Sequence, residues 1–143
     1  MDVVDVRQEI PVGPRKNHKG VVMMSQSDKR YLEAIYIISN SSEHVHAIDI
    51  SKKLQVTRAS VSRAIKRLYE QKLVQLEEDK CIILTEVGIE KARKVYHKQV
   101  LLENFLAQVI NVSEEVARKD ASSIKHYMSD ETCSNIQKFL LDY

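Results

Sequence analysis

Between Ala47 and Leu73 the chain concentrates positive charge on one short stretch. Seven lysines and arginines and a single acid, Glu70, lie between residues 51 and 72, although the 143-residue chain has a net charge of only +2. Ammonium and guanidinium groups bind phosphate oxygens, and an arginine can also donate two parallel hydrogen bonds to a guanine. The chemistry that these residues indicate is nucleic-acid binding.

The same stretch predicts two helices joined by a tight turn. Apolar residues recur at helical spacing on both sides of Gln55 and Val56, and Thr57 can cap the second helix. A helix-turn-helix is the natural interpretation, with the first turns of its second helix in the major groove of DNA. The alternative is an ordinary amphipathic helical hairpin with a solvated basic face.

Two groups of DNA-binding side chains follow from this interpretation. The side chains able to reach base edges are Thr57, Arg58, Ser60, Ser62 and Arg63. Phosphate contacts, which fix the register but carry no sequence information, are predicted for Lys52, Lys53, Lys66 and Arg67.

The flanking segments extend this motif into a winged helix-turn-helix domain over residues 26–84. Residues 1–25 hold both prolines and two of the three glycines, and are predicted to be a flexible arm. Residues 27–39 form an apolar-striped helix with Ser27 as its N-cap. Residues 73–76 and 81–84 form a β-hairpin, the wing. Its acidic tip, Glu77 to Asp79, is interpreted as a solvated loop that adds little to DNA affinity.

Residues 85–143 predict a helical dimerisation domain, so the protein is mainly α. One long helix runs from a cap at Thr85 to about Val109, and two more begin at Ser113 and Ser129, the first ending near Tyr127. Residues 99–143 contain seven acidic and four basic side chains, and this excess of acids favours a protein partner over DNA. The apolar surplus of these helices indicates a homodimer; the alternative is that they complete a monomeric core.

Several other classes of protein are not supported. No apolar run approaches the roughly 20 residues that span a bilayer, and the start lacks a signal peptide's apolar core, so a cytoplasmic protein without a membrane partner is expected. Cys81 and Cys133 form no CxxC pair, which supports neither a zinc knuckle nor a disulfide. His44 and His46 are interpreted as a coincidence. No catalytic constellation is present, so an enzyme is not expected.

Five motifs in order carry a resemblance to a known family. They are YLEAIY at 31–36, SVSRAIKRL at 60–68, LTEVG at 84–88, LLENFL at 101–106 and HYMSDE at 126–131. Together they resemble the iron- and manganese-dependent repressors of the diphtheria toxin repressor class, over about residues 25–143. The resemblance implies a homodimeric transcriptional repressor that binds palindromic operators in double-stranded DNA when Mn²⁺ or Fe²⁺ is bound. The alternatives are a winged-helix regulator of the multiple-antibiotic-resistance type, or a winged-helix protein-interaction module.

The family's metal site is degenerate in this chain. Three ligands are kept by resemblance, Glu33, Glu103 and His126, while Arg30 and Lys125 stand at ligand positions. A divalent cation needs converging anionic or neutral donors, and two cations repel it. We therefore expect metal control to be weakened or lost, with altered metal binding as the alternative. Our hypothesis is that Arg30 and Lys125 pair with Glu33 and Glu103 and replace the metal's charge.

Overall fold

The computed structural model describes residues 24–143, which form six helices and one hairpin. In chain order these are α1 (Gln26–Ser41), α2 (Ala47–Leu54), α3 (Arg58–Glu70), β1 (Val74–Leu76), β2 (Ile82–Leu84), α4 (Glu86–Gln108), α5 (Glu114–Ile124) and α6 (Asp130–Asp142). The predicted mainly helical architecture with a wing after the helix-turn-helix is confirmed. Residues 1–23 of the predicted arm lie outside the described residues. None of the described helices is long and apolar enough to cross a membrane.

Hydroxyl caps set where most of the helices begin. The predicted caps Thr57, Thr85, Ser113 and Ser129 each accept a hydrogen bond from a backbone N–H in the first turn. The predicted Ser27 cap is wrong, because Ser25 accepts from the N–H of Asp28 at 3.1 Å and α1 starts at Gln26. The Ser25 hydroxyl, two residues before Ser27, accepts from one of the free N–H groups of the first turn.

The C-terminal end of α5 also differs from the sequence-based expectation. The helix ends at Ile124, three residues before the predicted Tyr127, and Lys125 is its C-cap. The N–H of Tyr127 donates to the carbonyl of Ile124 at 3.0 Å, which closes a turn. The Lys125 side chain is buried beside α1, and a turn at this point is compatible with that contact.

The core of the N-terminal half lies between α1 and the helix-turn-helix. Leu32 and Ile35 of α1, Ile50 of α2 and Val61 and Leu68 of α3 are fully buried. The tight turn between α2 and α3 places Gln55 in the left-handed region, with φ of 55°. This packing orients α3 so that its apolar face meets α1 and its basic face meets solvent.

The wing is joined on both sides to the rest of the domain. In the hairpin Val74 lies opposite Leu84 and Leu76 opposite Ile82. The N–H of Ile82 also donates to the carbonyl of Val45 at 2.8 Å, which attaches the segment before α2 to the wing. At the base of the wing, the N–H of Thr85 donates to the carbonyl of Leu73 at 3.0 Å.

Gly88 permits the close approach of α4 to the base of the wing. A Cβ atom at this position would lie 2.0 Å from the carbonyl oxygen of Leu73, which is backbone and cannot rotate away.

We expect Gly88→Ala to lower the free energy of unfolding by about 2 kcal/mol or more, because overpacking of this kind forces backbone shifts. Urea denaturation measures this value. Val87→Ala, at an exposed neighbouring position, is the control, and equal stability of the two variants would contradict the account.

Candidate nucleic-acid interface and metal site

The exposed face of α3 carries the predicted base-reading residues. Val61, Ala64 and Leu68 are buried, whereas Arg58, Ser62, Arg63 and Lys66 are exposed. Lys52 and Lys53 are exposed in the last turn of α2. The fold therefore presents basic and hydroxyl side chains together on one side of the helix-turn-helix, as a major-groove reader requires.

Three of the predicted residues are hydrogen-bonded to one another at the start of α3. The hydroxyl of Thr57 accepts from the N–H of Ser60 at 3.1 Å and donates to the hydroxyl of Ser60 at 2.9 Å. A guanidinium nitrogen of Arg63 donates to the same Ser60 oxygen at 3.3 Å. This chain of hydrogen bonds limits the rotamers of three side chains at the N-terminal end of α3.

Arg67 differs from the other predicted phosphate ligands because it is part of the fold. Its Nε donates to the carboxylate of Asp28 at 2.9 Å, and Gln71 donates to the second oxygen of that carboxylate at 3.1 Å. Asp28 is buried, which makes it the acceptor that ties α1 to α3. Sequence spacing did not indicate this pairing, because the two partners lie 39 residues apart.

The predicted metal ligands lie on three different elements, and a lysine is engaged with one of them. Glu33 is on α1, Glu103 on α4 and His126 just after α5. The Nζ of Lys125 donates to both carboxylate oxygens of Glu33 at 2.6 Å, and the two side chains are only 7% and 12% exposed. The ion pair predicted for Lys125 is therefore confirmed, with Glu33 as its partner.

The other half of the predicted charge network is wrong. Arg30 donates to the carbonyl of Leu54 at 3.2 Å, and Glu103 accepts from the amide of Gln99 at 2.5 Å. The Arg30 contact joins α1 to α2, whereas the Glu103 contact lies within α4. Leu54 is at the C-terminal end of α2, where carbonyls lack helical partners, and Gln99 is one turn before Glu103 on α4.

The electrostatic surroundings of His126 disfavour a further cation. Burial, the largest cause, and the positive charges of Lys125, Lys29 and Lys98 together lower the pKa of this imidazole to about 4. Its Nδ1 is buried without a hydrogen-bond partner in the described part of the chain. One neutral nitrogen beside several ammonium groups is a poor ligand environment for a dication.

The residues present therefore do not fit the family's metal. Glu33, Lys125 and His126 line a common cavity of about 470 Å³, and Glu103 does not line it. Both oxygens of the one carboxylate in this cavity are already engaged by the Lys125 ammonium. Over residues 24–143, the only group of three His, Cys, Asp or Glu donors within 4.8 Å of one another lies elsewhere, at Glu77, Asp79 and Cys81.

Comparisons with known proteins place the two halves of the chain in one family. The description "Iron dependent repressor, N-terminal DNA binding domain" matches residues 23–82, and "Iron dependent repressor, metal binding and dimerisation domain" matches residues 85–142. An HTH-type transcriptional regulator of Methanocaldococcus jannaschii is 31% identical over 118 residues, 82% of this chain and 94% of that protein. The chain belongs to the iron-dependent repressor family. The predicted family and the predicted two-part architecture are confirmed.

Other members of the iron-dependent repressor family agree with this assignment. The transcriptional regulator MntR of Geobacillus kaustophilus is 30% identical over 107 residues, 75% of each chain. The structure of the manganese regulator SloR superimposes with a TM-score of 0.72 at 29% identity, covering 82% of this chain. This chain spans only 54% of the length of SloR. The family consists of DNA-binding transcriptional regulators, as predicted. The alternative family, the multiple-antibiotic-resistance regulators, is not the one that the chain matches.

Arg58 offers a direct test of the predicted base contacts. We expect Arg58→Ala to weaken binding to a specific operator by about 1–3 kcal/mol and to relax its sequence preference, as expected for loss of a base contact. Fluorescence anisotropy with specific and scrambled duplexes measures both effects. Arg118→Ala, which changes an arginine on α5 that is also exposed, is the control. If both variants bind alike, α3 does not read the bases through Arg58.

Proposed function

We propose that this chain is a homodimeric transcriptional repressor that binds palindromic operator DNA through α3 without a metal in the family's site. The observation that carries the proposal is the buried ion pair between the Lys125 ammonium and both carboxylate oxygens of Glu33. The ammonium supplies positive charge at one of the predicted metal ligands. Donor chemistry supports the same conclusion, because this cavity holds too few anionic donors for a dication.

The ion pair is placed so that it can act on the recognition helix. Lys125 follows α5 in the C-terminal domain, and Glu33 lies on α1. Five residues earlier on α1, Asp28 holds Arg67 of α3 at 2.9 Å. Two ion pairs on one helix thus connect the C-terminal domain to the helix that carries the DNA-binding residues. Because both partners of each pair are side chains, this connection needs no ligand to form.

The energetic argument depends on burial. Desolvation of two charges is costly, and their attraction compensates only when the geometry is good. Once such a pair is buried, removing one partner leaves an uncompensated charge, which typically costs about 3–5 kcal/mol. The Lys125–Glu33 pair is therefore expected to be a strong requirement for the packing of the C-terminal domain on α1.

DNA binding in chelator tests the proposal directly. We expect the protein to bind duplex DNA from the promoter of its own gene equally well in chelator and after addition of Mn²⁺, Fe²⁺ or Zn²⁺. Lys125→Glu should lose operator affinity and stability, because two carboxylates then meet in a buried site. Fluorescence anisotropy and urea denaturation give the two measurements.

Lys119→Glu changes an exposed lysine on α5, the helix that Lys125 follows, and is the matched control that should behave like the parent protein. The double variant Glu33→Lys with Lys125→Glu reverses the pair and should recover part of the lost stability. DNA binding that appears only with metal, or unchanged binding by Lys125→Glu, would contradict the metal-free mechanism.

The homodimer is supported by apolar side chains that the last three helices leave at the surface. The exposed ones include Val100, Ile110, Val116, Phe139 and Leu141, the last of which is 80% exposed. Exposed apolar area of this kind is commonly covered by another protein surface. A two-fold dimer would present two α3 helices to successive turns of one face of the duplex, which explains a palindromic operator.

Sedimentation velocity checks the oligomeric state. We expect a species of twice the 16.5 kDa chain mass at micromolar concentration, in chelator, because the proposed dimer does not depend on metal. The same experiment with labelled operator should give two chains per duplex. A 16.5 kDa species that binds DNA alone would refute the dimer and leave only the DNA-binding half of the proposal.

A further inference from the structure

The wing holds a set of metal-binding side chains that is separate from the family's site. A carboxylate oxygen of Glu77, a carboxylate oxygen of Asp79 and the sulfur of Cys81 lie within 4.8 Å of one another. The thiol is buried and the two acids are exposed. None of these residues belongs to the cavity that contains Glu33 and Lys125. The cluster therefore needs its own explanation.

Backbone hydrogen bonds hold these three donors on one tight turn. The N–H of Glu77 donates to the carbonyl of Cys81 at 3.0 Å, and the N–H of Lys80 donates to the carbonyl of Glu77 at 2.9 Å. Asp79 accepts from the N–H of Cys81 at 3.1 Å. Lys80 adopts a φ of 62°, which closes the turn. The donors are thus brought together by the backbone of the hairpin before any ligand binds.

A fourth donor comes from a different part of the chain. The Nδ1 of His44 lies 3.7 Å from the sulfur of Cys81, although the two residues are 37 positions apart. Their neighbours hold this position, because the N–H of Ile82 donates to the carbonyl of Val45 at 2.8 Å. The imidazole donor therefore comes from a segment outside the acidic turn. It changes the cluster from two exposed acids beside a thiol into a mixed sulfur, nitrogen and oxygen set.

We propose that the wing binds a divalent cation of the zinc class through Cys81, His44, Glu77 and Asp79. Zinc prefers thiolate, imidazole and carboxylate ligands in four-coordinate tetrahedral geometry, in which neighbouring donor atoms are separated by roughly 3.3–3.6 Å. The sulfur and the imidazole nitrogen, 3.7 Å apart, are already close to that separation. Rotation of the exposed carboxylates supplies the remaining movement. On binding, the thiol releases its proton to solvent and the sulfur bonds to the cation as thiolate.

The donor set distinguishes this site from one for manganese or magnesium. Hard cations favour oxygen ligands alone, whereas a thiolate and an imidazole favour zinc, cobalt or cadmium. A bound cation would also reduce the negative charge of the wing tip, where acids face the surface. The site goes beyond the proposed DNA-binding function and does not depend on it, since metal binding is measured without DNA.

Cobalt(II) titration of the full-length, reduced protein tests the site. We expect one equivalent of cobalt to bind with a thiolate-to-cobalt charge-transfer band in the near ultraviolet and the visible bands of tetrahedral cobalt. Zinc should then displace the cobalt and remove both signals. Cys81→Ser should abolish the charge-transfer band, while Cys133→Ser, which changes the other buried cysteine, should retain it.

Further variants keep the test independent of folding at Cys81. The double variant Glu77→Gln with Asp79→Asn changes only exposed side chains, and we expect its cobalt affinity to fall by about tenfold or more. His44→Gln should weaken binding similarly, and His97→Gln, on α4, should not. Absence of the charge-transfer band in the parent protein, or unchanged affinity in the carboxamide variant, would overturn the proposal. Loss of binding in His126→Gln would assign the metal to the family's site and overturn it as well.

Discussion

Two carboxylates on α1 are the constraint on which the rest of the structure depends. Asp28 and Glu33 are both shielded from solvent, and each holds a cation from a different part of the chain. Buried charge is tolerated only when it is paired, so the positions of Arg67 and Lys125 are strongly constrained by α1. Because Arg67 belongs to the recognition helix and Lys125 to the C-terminal domain, α1 determines how these two parts meet.

In the metal-free mechanism proposed above, a lysine ammonium takes the place of a metal ion as the positive charge beside Glu33. A metal ion and an ammonium both satisfy buried carboxylates, but only the metal can leave. A lysine is covalently attached, so the contact it makes is present whenever the chain is folded. In the metal-free mechanism proposed here, a permanent ion pair replaces control by a metal ion that can dissociate. Any remaining regulation then acts at another part of the molecule.

The wing contains the donor atoms that regulation by a bound cation would require. Its tip combines soft and hard donors from two segments that are joined by the hydrogen bond between Ile82 and Val45. The same hydrogen bond makes the wing part of the helix-turn-helix domain, since Val45 leads directly into α2. One backbone hydrogen bond therefore connects the wing to the helix-turn-helix, whose residues are the predicted DNA contacts.

Much of the local structure was determined by the sequence, because it depends on neighbours along the chain. Three local signals predicted nearly all elements. They are helical periodicity, two β-prone runs on either side of an acidic turn, and hydroxyl caps at Thr57, Thr85, Ser113 and Ser129. The motifs also indicated the family and an ion pair of Lys125 with one of the two retained glutamates, Glu33 or Glu103. The misplaced start of α1 and end of α5 are boundary errors, where competing hydroxyls or tertiary contacts decide between adjacent residues.

Only the tertiary structure decided which distant side chains meet. The pairing of Asp28 with Arg67 and the contact of His44 with Cys81 join residues 39 and 37 positions apart, and no local pattern encodes such distances. Arg30 and Glu103 illustrate the same point, because Arg30 donates to a carbonyl 24 residues away and Glu103 accepts from Gln99 on its own helix. Residue types specify which bonds a side chain is able to make, whereas the packing of helices and the register of the wing determine which partner is within reach.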